Sequence, residues 1–417
     1  MREADTDIVV VGAGAAGLSL ADRLTRPGGA RPGPSVVLVS APPGPARPAE
    51  RTWCFWEPPG GDYDDAVVGF WERLRVRAPG GATVEARPVP LRYKMIRSRG
   101  FEALLRQRLA GRPVFRGVEA TVAEVRDVRG GAEVRGTTAG GAPLTLRARW
   151  VFDSRPPPRL PPARTVLLQH FRGWFLRTER PAFDPEAAEL MDFRTPQPAR
   201  GLSFGYVLPL GAREALVEYT EFSPRVLGGA AYDRLLGHYA REVLGVGAAR
   251  IVAAEQGVIP MTDAVFPRRA GASVFRIGAA GGATRPATGY TFTAVRRQAA
   301  AIADACRAGR VPVPPPAHSA RTRAMDAVLL RALDRGRIDG PRFFTGLFRH
   351  CPAERLLRFL DGDTRLLEDL AVGLRTPVPA MLRTAAELPL LPRRAPGRCA
   401  YPAPVSLPVS GPAGERS

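Results

Sequence analysis

A run of glycines near the N-terminus is the first group of residues whose spacing could serve chemistry. Gly12, Gly14 and Gly17 form a GxGxxG pattern, with Ala15 and Ala16 before the last glycine. In such a pattern the first glycine permits a tight turn, the second lets backbone approach a pyrophosphate, and the third lets a helix pack closely on a strand. Amide groups at the start of the helix then face the anionic ligand. The pattern predicts a dinucleotide-binding turn.

The elements around these glycines are those that must position such a ligand. The β-branched run 7–11 is typical of a buried parallel strand, and residues 18–25 have helical spacing. A second strand-like run, 35–40, completes a βαβ unit. An acid that binds the ribose usually ends this second strand, but Ser40 stands there, and we interpret its hydroxyl as a weaker ribose contact. The alternative is a glycine-rich turn in an unrelated α/β protein, and the flanking strand and helix count against it.

A second glycine-rich turn lies late in the chain, after the strand-like run 274–278. Its small and hydroxyl residues would let backbone approach a cofactor closely: Gly278, Gly281, Gly282, Thr288 and Gly289. A helix is predicted directly afterwards, over 293–307. In two-domain flavin folds the N-terminal turn holds the ADP half of FAD, and a late strand, turn and helix pass under the flavin. Read alone, the segment equally fits an ordinary loop; paired with the βαβ unit, it predicts an FAD-binding fold.

Length, composition and charge limit the alternatives. With 417 residues, the chain is long enough for two domains or more. Its formal charge of +20 comes from dispersed arginines without a nucleic-acid-binding motif, which argues against nucleic-acid binding. The four cysteines and four histidines are scattered, so no metal site or disulfide framework is predicted. No apolar run is long enough to span a bilayer, and acidic residues precede the first one, so we expect a cytoplasmic chain that is not exported.

These features predict an α/β fold with three parts. An FAD-binding domain of Rossmann type is expected from the discontinuous segments 1–60, 98–160 and 270–310. Further strand-like stretches predict a mostly antiparallel β-sheet, which would form a substrate domain from 61–97 and 161–269. The segment 311–395 is expected to be helical and to face the membrane, and the Pro/Gly/Ser-rich tail 396–417 to be disordered.

Many short segments are similar, and in the same order, to those of one known family: Arg51–Glu57, Tyr93–Arg97, Phe152–Pro156, Gln169–Trp174, Met191–Arg194, Phe204–Leu210, Leu216–Ser223, Gly257–Met261, Gly278–Phe292 and Arg358–Leu360. Over about residues 7 to 385 the chain resembles the bacterial lycopene cyclases, the β-cyclases of carotenoid synthesis. So many segments in one order argue against a chance match.

The resemblance implies a flavoprotein that catalyses no net redox change. Such an enzyme cyclises the ψ ends of lycopene, and of the monocyclic carotene formed from it, to β-ionone rings. It depends on reduced FAD, with NAD(P)H serving only as a reductant. A general acid protonates the terminal double bond, the next double bond attacks the tertiary cation, and a ring proton is lost. Because an alkene is hard to protonate, the acid needs a water-poor pocket that keeps it protonated near neutral pH.

The resemblance places the essential carboxylate at Glu218. In a strand, Leu216, Glu218 and Thr220 share one face, whereas Glu221 points to the other face and ranks second. Asp153, at the end of a strand that returns to the first sheet, is a weaker candidate that could instead form a local ion pair within its own turn. Without the resemblance, Glu218 would be interpreted as an exposed carboxylate on an edge strand.

Aromatic residues are expected to line the polyene cavity and to stabilise cations through their π faces, with core packing as the alternative for at least half of them: Trp53, Phe55, Trp56, Tyr290 and Phe292. Because lycopene dissolves in the bilayer, the resemblance also implies peripheral association with the cytoplasmic membrane. An apolar stripe over 343–360, flanked by arginines, has the composition of an interfacial helix; packing on the core is an equal alternative.

Two other functions stay open. A flavin-dependent monooxygenase or prenyl reductase would share the fold and consume reducing equivalents. Such enzymes usually carry Gly-Asp at the late turn, where this chain has Gly278 and Ala279. A non-catalytic prenyl-lipid-binding protein would have kept the fold and lost the chemistry. Glu218 and the intact glycine turns argue against it, whereas a colourless purified protein would support it.

Overall fold

The structure is a computed structural model that describes residues 4–27, 33–44 and 47–396. Apart from residue 396, the predicted tail lies outside the described residues. Within them the strands are β1 (Thr6–Val11), β2 (Val36–Ser40), β3 (Thr52–Glu57), β4 (Val67–Trp71), β5 (Arg73–Arg77), β6 (Thr83–Ala86), β7 (Arg92–Arg97), β8 (Phe115–Val128), β9 (Gly131–Thr138), β10 (Pro143–Asp153), β11 (Val166–Thr178), β12 (Ala187–Asp192), β13 (Leu202–Gly211), β14 (Glu214–Ser223), β15 (Ala249–Thr262) and β16 (Val274–Arg276). The α-helices are α1 (Ala15–Thr25), α2 (Ser98–Ala110), α3 (Gly229–His238), α4 (Phe292–Arg307), α5 (Ala320–Asp334), α6 (Gly340–His350), α7 (Ala353–Asp361), α8 (Leu366–Gly373) and α9 (Val378–Glu387).

The first sheet contains the predicted βαβ unit. Strands β8, β2, β1, β10 and β16 lie side by side and run parallel. The outer halves of β8 and β10 continue beyond this parallel part and pair antiparallel with β9. All residues of β2 are buried, as are all but one of β1, as expected for a parallel sheet covered on both faces. The Rossmann-type α/β fold expected from the sequence is thus confirmed.

The second sheet has seven strands in the order β15-β11-β14-β13-β12-β5-β6. Its pairs are antiparallel except β12 with β5, so the predicted mostly antiparallel sheet is also confirmed. One face, here called the inner face, packs against a three-stranded sheet of β3, β7 and β4 and against α5, α6 and α7. The opposite, outer face is covered by α3.

The C-terminal segment is helical, and its apolar stripe completes the core. Phe343, Phe344, Leu347 and Phe348 of α6 are buried with the aromatic side chains of the inner face, as is Leu356 of α7. Core packing is therefore the correct interpretation of this stripe, and the interfacial one is wrong. The physical reason is that the inner face would otherwise expose a large apolar surface to water.

A buried ion pair ties this helical segment to the late glycine turn. The guanidinium of Arg285, just after the turn, donates to the carboxylate of Asp326 on α5 and to the backbone carbonyl of Phe359 on α7. Both charged side chains are almost completely shielded from water.

Among the described residues, no helix is both long and apolar enough to cross a bilayer.

Candidate active site

The N-terminal glycine turn has the geometry that a dinucleotide requires. Gly12 has a φ of +100°, and a Cβ at this position would lie 2.3 Å from Oγ of Ser154. A Cβ on Gly17 would lie 1.8 Å from the carbonyl oxygen of Gly12, so the helix can approach the turn only with glycine there. Gly14, by contrast, faces open space at the start of α1, whose first turn carries Ala15 and Ala16 and no acidic residue. An anionic group could therefore approach the helix N-terminus at Gly14.

The late turn lies directly against the first one. Gly278 has a φ of +63°, and a Cβ there would lie 2.9 Å from Cβ of Ala16. The same turn includes Gly281 and Gly282 and precedes α4. Two predicted cofactor segments, about 260 residues apart in sequence, thus meet at one place.

Unsatisfied polar atoms lie at the far end of this late loop. Oγ1 of Thr288 is buried and has no hydrogen-bond partner among the described residues, and the same holds for Oε1 of Gln169 on β11. A Cβ on Gly289 would lie 2.3 Å from that glutamine oxygen. Buried groups of this kind are usually satisfied, so they fit a polar ligand that passes along the loop. The residues present therefore fit a flavin dinucleotide.

Two other predicted residues belong to the first sheet. Ser40 is buried at the end of β2, and its hydroxyl lies 3.4 Å from the carbonyl oxygen of Val118. Asp153 ends β10 beside Val11, and its carboxylate accepts hydrogen bonds from the guanidinium of Arg155 at 2.8 to 3.2 Å. Asp153 thus forms the local ion pair that the sequence left open. It lies in the sheet that carries the glycine turn, whereas Glu218 lies in the seven-stranded sheet.

Glu218 lies near the middle of β14, with a relative exposure of 7%. Strand alternation directs its side chain to the inner face, together with Leu216 and Thr220. Its carboxyl group accepts a hydrogen bond of 2.5 Å from the hydroxyl of Thr220. Burial raises the pKa of Glu218 to about 8, and the nearby carboxylate of Glu255 acts in the same direction. The side chain can therefore hold a proton near neutral pH.

A group of tyrosine hydroxyls lies beside this carboxyl. Tyr206 of β13 is directly opposite Glu218 in the sheet. Its hydroxyl lies 2.6 Å from that of Tyr93, which is 3.1 Å from the hydroxyl of Tyr290. The ring of Trp56 meets Tyr290 edge-on, with 4.5 Å between centroids. The inner face thus presents the buried acid Glu218 among aromatic rings, which is suited to protonating an apolar substrate and stabilising a cation.

The five predicted aromatic residues divide into two layers. Trp56 and Tyr290 lie on the Glu218 side, whereas Phe55 and Trp53 stack with Phe292 at centroid distances of 4.6 and 5.9 Å in the core of the first domain. Core packing, the alternative given for at least half of the five, therefore applies to Trp53, Phe55 and Phe292. The cause is the alternation of β3, which turns successive side chains to opposite faces.

Glu221 lies on the outer face, as strand alternation requires. It accepts a hydrogen bond of 3.1 Å from the hydroxyl of Tyr219, and its carboxylate is 3.7 Å from Nε2 of His170. The imidazole of His170 is itself hydrogen-bonded to Tyr232 and Ser223. The structure therefore does not bring Glu221 together with Glu218.

Sequence reasoning missed Glu255, Tyr93 and Tyr206, which come from three different strands. Tyr206 and Glu255 become neighbours of the site through strand pairing between distant segments, and Tyr93 through packing of the three-stranded sheet on the inner face, so local spacing carries no signal for them. Tyr93 and Tyr206 do lie inside segments that resemble the family. Glu255 lies just before such a segment.

Solved structures of similar fold include several flavin-dependent enzymes. They include a flavoprotein/dehydrogenase from Cytophaga hutchinsonii (TM-score 0.64, 13% identity, covering 91% of this chain and 98% of that one). A geranylgeranyl bacteriochlorophyll reductase-like protein from Thermoplasma acidophilum has a TM-score of 0.58 at 13% identity, covering 92% of this chain and 96% of that one. The flavin-dependent monooxygenase PieE, solved with FAD and substrate, has a TM-score of 0.58 at 16% identity, covering 93% and 72%. The chain thus has the fold of FAD-dependent enzymes.

Sequence comparison identifies the family within this fold. The family described as lycopene cyclase protein matches residues 7–386, which is most of the chain. The protein therefore belongs to the lycopene cyclase family. No curated protein sequence matches it significantly.

Proposed function

We propose that this protein is a lycopene β-cyclase, an isomerase that closes the ψ ends of lycopene to β-ionone rings without net redox change. The observation that carries the proposal is the buried acid Glu218, which retains its proton near neutral pH on an inner face lined by aromatic side chains. Membership of the lycopene cyclase family supports the choice of substrate. The monocyclic carotene would be the product of the first ring closure and the substrate of the second.

Glu218 would act as both acid and base in this reaction. Its proton is transferred to the terminal double bond, which leaves a tertiary cation on the polyene and a carboxylate on the protein. The next double bond attacks the cation and closes the ring. The carboxylate then takes the ring proton, so the group returns to its starting state and the formula of the substrate is unchanged. The rings of Trp56 and Tyr290 are the described aromatic groups best placed to stabilise the cation.

We infer that FAD is the cofactor, held by the two contacting glycine turns and the polar atoms of the Thr288 loop. When bound in its reduced form, FAD supplies an anionic ring system that stabilises positive charge electrostatically. NAD(P)H would only maintain this form. The protein's own contribution is to exclude water around Glu218 and to fix the direction of its proton.

The competing function is that of a monooxygenase or prenyl reductase, which several proteins of this fold are named for. In the decisive experiment, the purified protein is loaded with reduced flavin and given lycopene in detergent. The carotenoid pigments, NAD(P)H and oxygen are then measured in the same reaction. We expect γ-carotene and β-carotene to form without stoichiometric loss of either co-substrate. Consumption of one equivalent of NAD(P)H or oxygen for each modified end of lycopene would instead establish a redox enzyme. A purified chain that binds no flavin and forms no product would support the lipid-binding alternative.

Contact with the membrane is also part of the proposal, now through a different surface. The helix α8 buries a charged side chain and exposes apolar ones. Its buried side carries Val372 and Asp369, whose carboxylate accepts hydrogen bonds from Thr364 and Arg321. Its outward side and C-cap carry four exposed leucines, the most exposed at 78%: Leu366, Leu367, Leu370 and Leu374. Exposed arginines flank this row at both ends, Arg365 and Arg375. An anionic bilayer matches both the leucines and the flanking charge.

The double variant Leu367→Gln/Leu370→Gln tests this surface. In co-sedimentation of the full chain with vesicles of phosphatidylglycerol and phosphatidylethanolamine, we expect at least about a tenfold loss of binding, because each buried leucine contributes about 1.5 to 3 kcal/mol. Val265→Gln, which changes an exposed apolar side chain elsewhere, is the control and should bind like the parent. Equal binding of the double variant and the parent would show that α8 does not contact the bilayer.

A further inference from the structure

Gly173, at the centre of β11, lies between two carboxylic acids. In the pairing of β11 with β14 it is directly opposite Glu218, and in the pairing with β15 it is directly opposite Glu255. Residues directly opposite across neighbouring strands share one face of a sheet, so both acids point to the inner face. A Cβ on Gly173 would lie 3.5 Å from Oε2 of Glu218. The same Cβ would lie 2.8 Å from Cδ1 of Leu216, so a side chain at this position would crowd the residues around the Glu218 carboxyl.

The two acids have different partners. Burial raises the pKa of Glu255 as well, but two neighbours favour its charged form: the hydroxyl of Thr52, which donates a hydrogen bond of 2.7 Å, and the guanidinium of Arg97. Arg97 is in turn paired with Glu50 at 2.6 Å. Glu218 has no comparable cation among the groups that act on it, and its hydrogen bond from Thr220 is the only one that favours its carboxylate. When Glu218 and Glu255 together hold one proton, that proton therefore resides on Glu218.

The other titratable groups that face Glu218 do not supply a compensating charge. Tyr206 faces it from β13, Cys54 from β3 and Tyr290 from the late loop. Tyr93 joins them from β7 through its hydroxyl contacts. Burial raises the pKa of each of these phenols and of the Cys54 thiol, so all of them are neutral near pH 7. Glu255, which has the guanidinium of Arg97 nearby, is the described residue facing Glu218 that is best placed to carry a charge.

We propose that Glu255 is a positioning residue whose carboxylate, on the other side of Gly173 in the sheet, keeps the catalytic proton on Glu218. The inference rests on the proposed function, which makes Glu218 the proton donor, and adds the residue that holds the donor in its reactive state. Glu255 would also act on Glu218 after the first step, because proton transfer to the substrate would leave two carboxylates facing each other. Their repulsion opposes an unproductive loss of the proton and favours its return from the ring to Glu218.

The test is a pH titration of the Glu218 carboxyl group in the flavin-loaded protein, read by infrared difference spectroscopy. The carbonyl stretch of the protonated acid is assigned by its loss in Glu218→Gln, and its midpoint is then measured in Glu255→Gln. This variant keeps the size of the side chain and the hydrogen bond from Thr52 but removes the charge. We expect the midpoint to fall by about one pH unit, the ordinary effect of one neighbouring charge. The alkaline limit of ring formation should fall with it.

Two controls keep the result specific. Glu255→Asp retains the charge and should hold the midpoint close to that of the parent, and Glu221→Gln, on the outer face, should leave it unchanged. A midpoint that does not move in Glu255→Gln would overturn the role of Glu255, even in an active cyclase. Because the titration needs no turnover, a shifted midpoint in a protein that forms no rings would instead refute the proposed function and retain the coupling of the two acids.

Discussion

The two faces of the seven-stranded sheet each bury a glutamate of β14, yet in opposite surroundings. On the outer face, Glu221 accepts from the hydroxyl of Tyr219 and lies near His170, whose burial lowers the pKa of its imidazole to about 4. On the inner face, Glu218 has one hydroxyl donor and a second carboxylate nearby. Glu221 and Glu218 are thus only three positions apart on one strand, yet Glu221 belongs to a hydrogen-bonded polar cluster and Glu218 carries a proton that a substrate can accept.

The comparison teaches that burial alone does not identify a functional acid. Both side chains are less than a tenth exposed, and burial disfavours the charged form of any carboxyl group. What distinguishes the inner face is the like-charged neighbour and the aromatic surroundings, which together favour a retained proton beside an apolar surface. The difference can be tested at each of the two residues.

The largest effect is expected for ring formation in Glu218→Gln. The amide keeps the size of the side chain but cannot donate a proton of comparable acidity, so the rate should fall by a factor on the order of 10² or more. Pigment chromatography of lycopene-accumulating cells measures it, with flavin absorbance as the check on folding. Glu218→Asp should be intermediate, because the carboxyl retreats by one methylene. Near-parental β-carotene from Glu218→Gln, with loss in Glu221→Gln or Asp153→Asn, would move the acid to one of those residues.

A second, smaller effect concerns stability and pH. Between the ordinary glutamate value of 4.5 and the raised pKa of about 8, folded Glu218 holds a proton that the unfolded chain has released. The contribution of this residue to the free energy of unfolding therefore falls as pH rises through that window. Glu218→Gln lacks this penalty and should be more stable than the parent at pH 8 by on the order of 2 kcal/mol. Thermal unfolding at pH 8 and at pH 4.5 measures the difference, which should vanish at the lower pH.

The smallest effect is expected for Glu221→Gln. Its amide oxygen can still accept from Tyr219, so the free energy of unfolding should fall by less than about 1 kcal/mol, the ordinary contribution of one hydrogen bond. Ring formation should be affected far less than in Glu218→Gln. Denaturant unfolding and pigment analysis together check this. If Glu221→Gln lost as much ring formation as Glu218→Gln, the contrast between the two faces would be mistaken.

Local sequence was sufficient for the parts of the fold in which neighbours in the chain are neighbours in space. The turn at Gly12 and the helix after it obey short-range rules, so their positions could be predicted. The alternation that separates Glu218 from Glu221 is equally local. The same rule, applied to β3, separates Trp53 from Trp56 and indicates that the two side chains point to opposite faces of the strand.

The remainder depends on pairings that no local pattern encodes. Glu255 reaches the site only because β11 lies between β14 and β15, and Gly173 joins two acids that are 37 residues apart in the chain. The stripe on α6 shows a related limit, because an apolar face has the same composition whether it meets lipid or a protein core. Only the position of the inner face of the sheet decides between the two.

The ion pair of Arg285 with Asp326 determines where this chain can be shortened. A protein truncated before α5 would lose both hydrogen-bond partners of the guanidinium, the carboxylate of Asp326 and the carbonyl oxygen of Phe359, together with the helices that contact it. The loop that carries Thr288 and Tyr290 would lose its anchor at the same time. The C-terminal helices are therefore not a detachable module for expression or fusion, and any engineered boundary must keep α5 and α7 with the flavin-type domain.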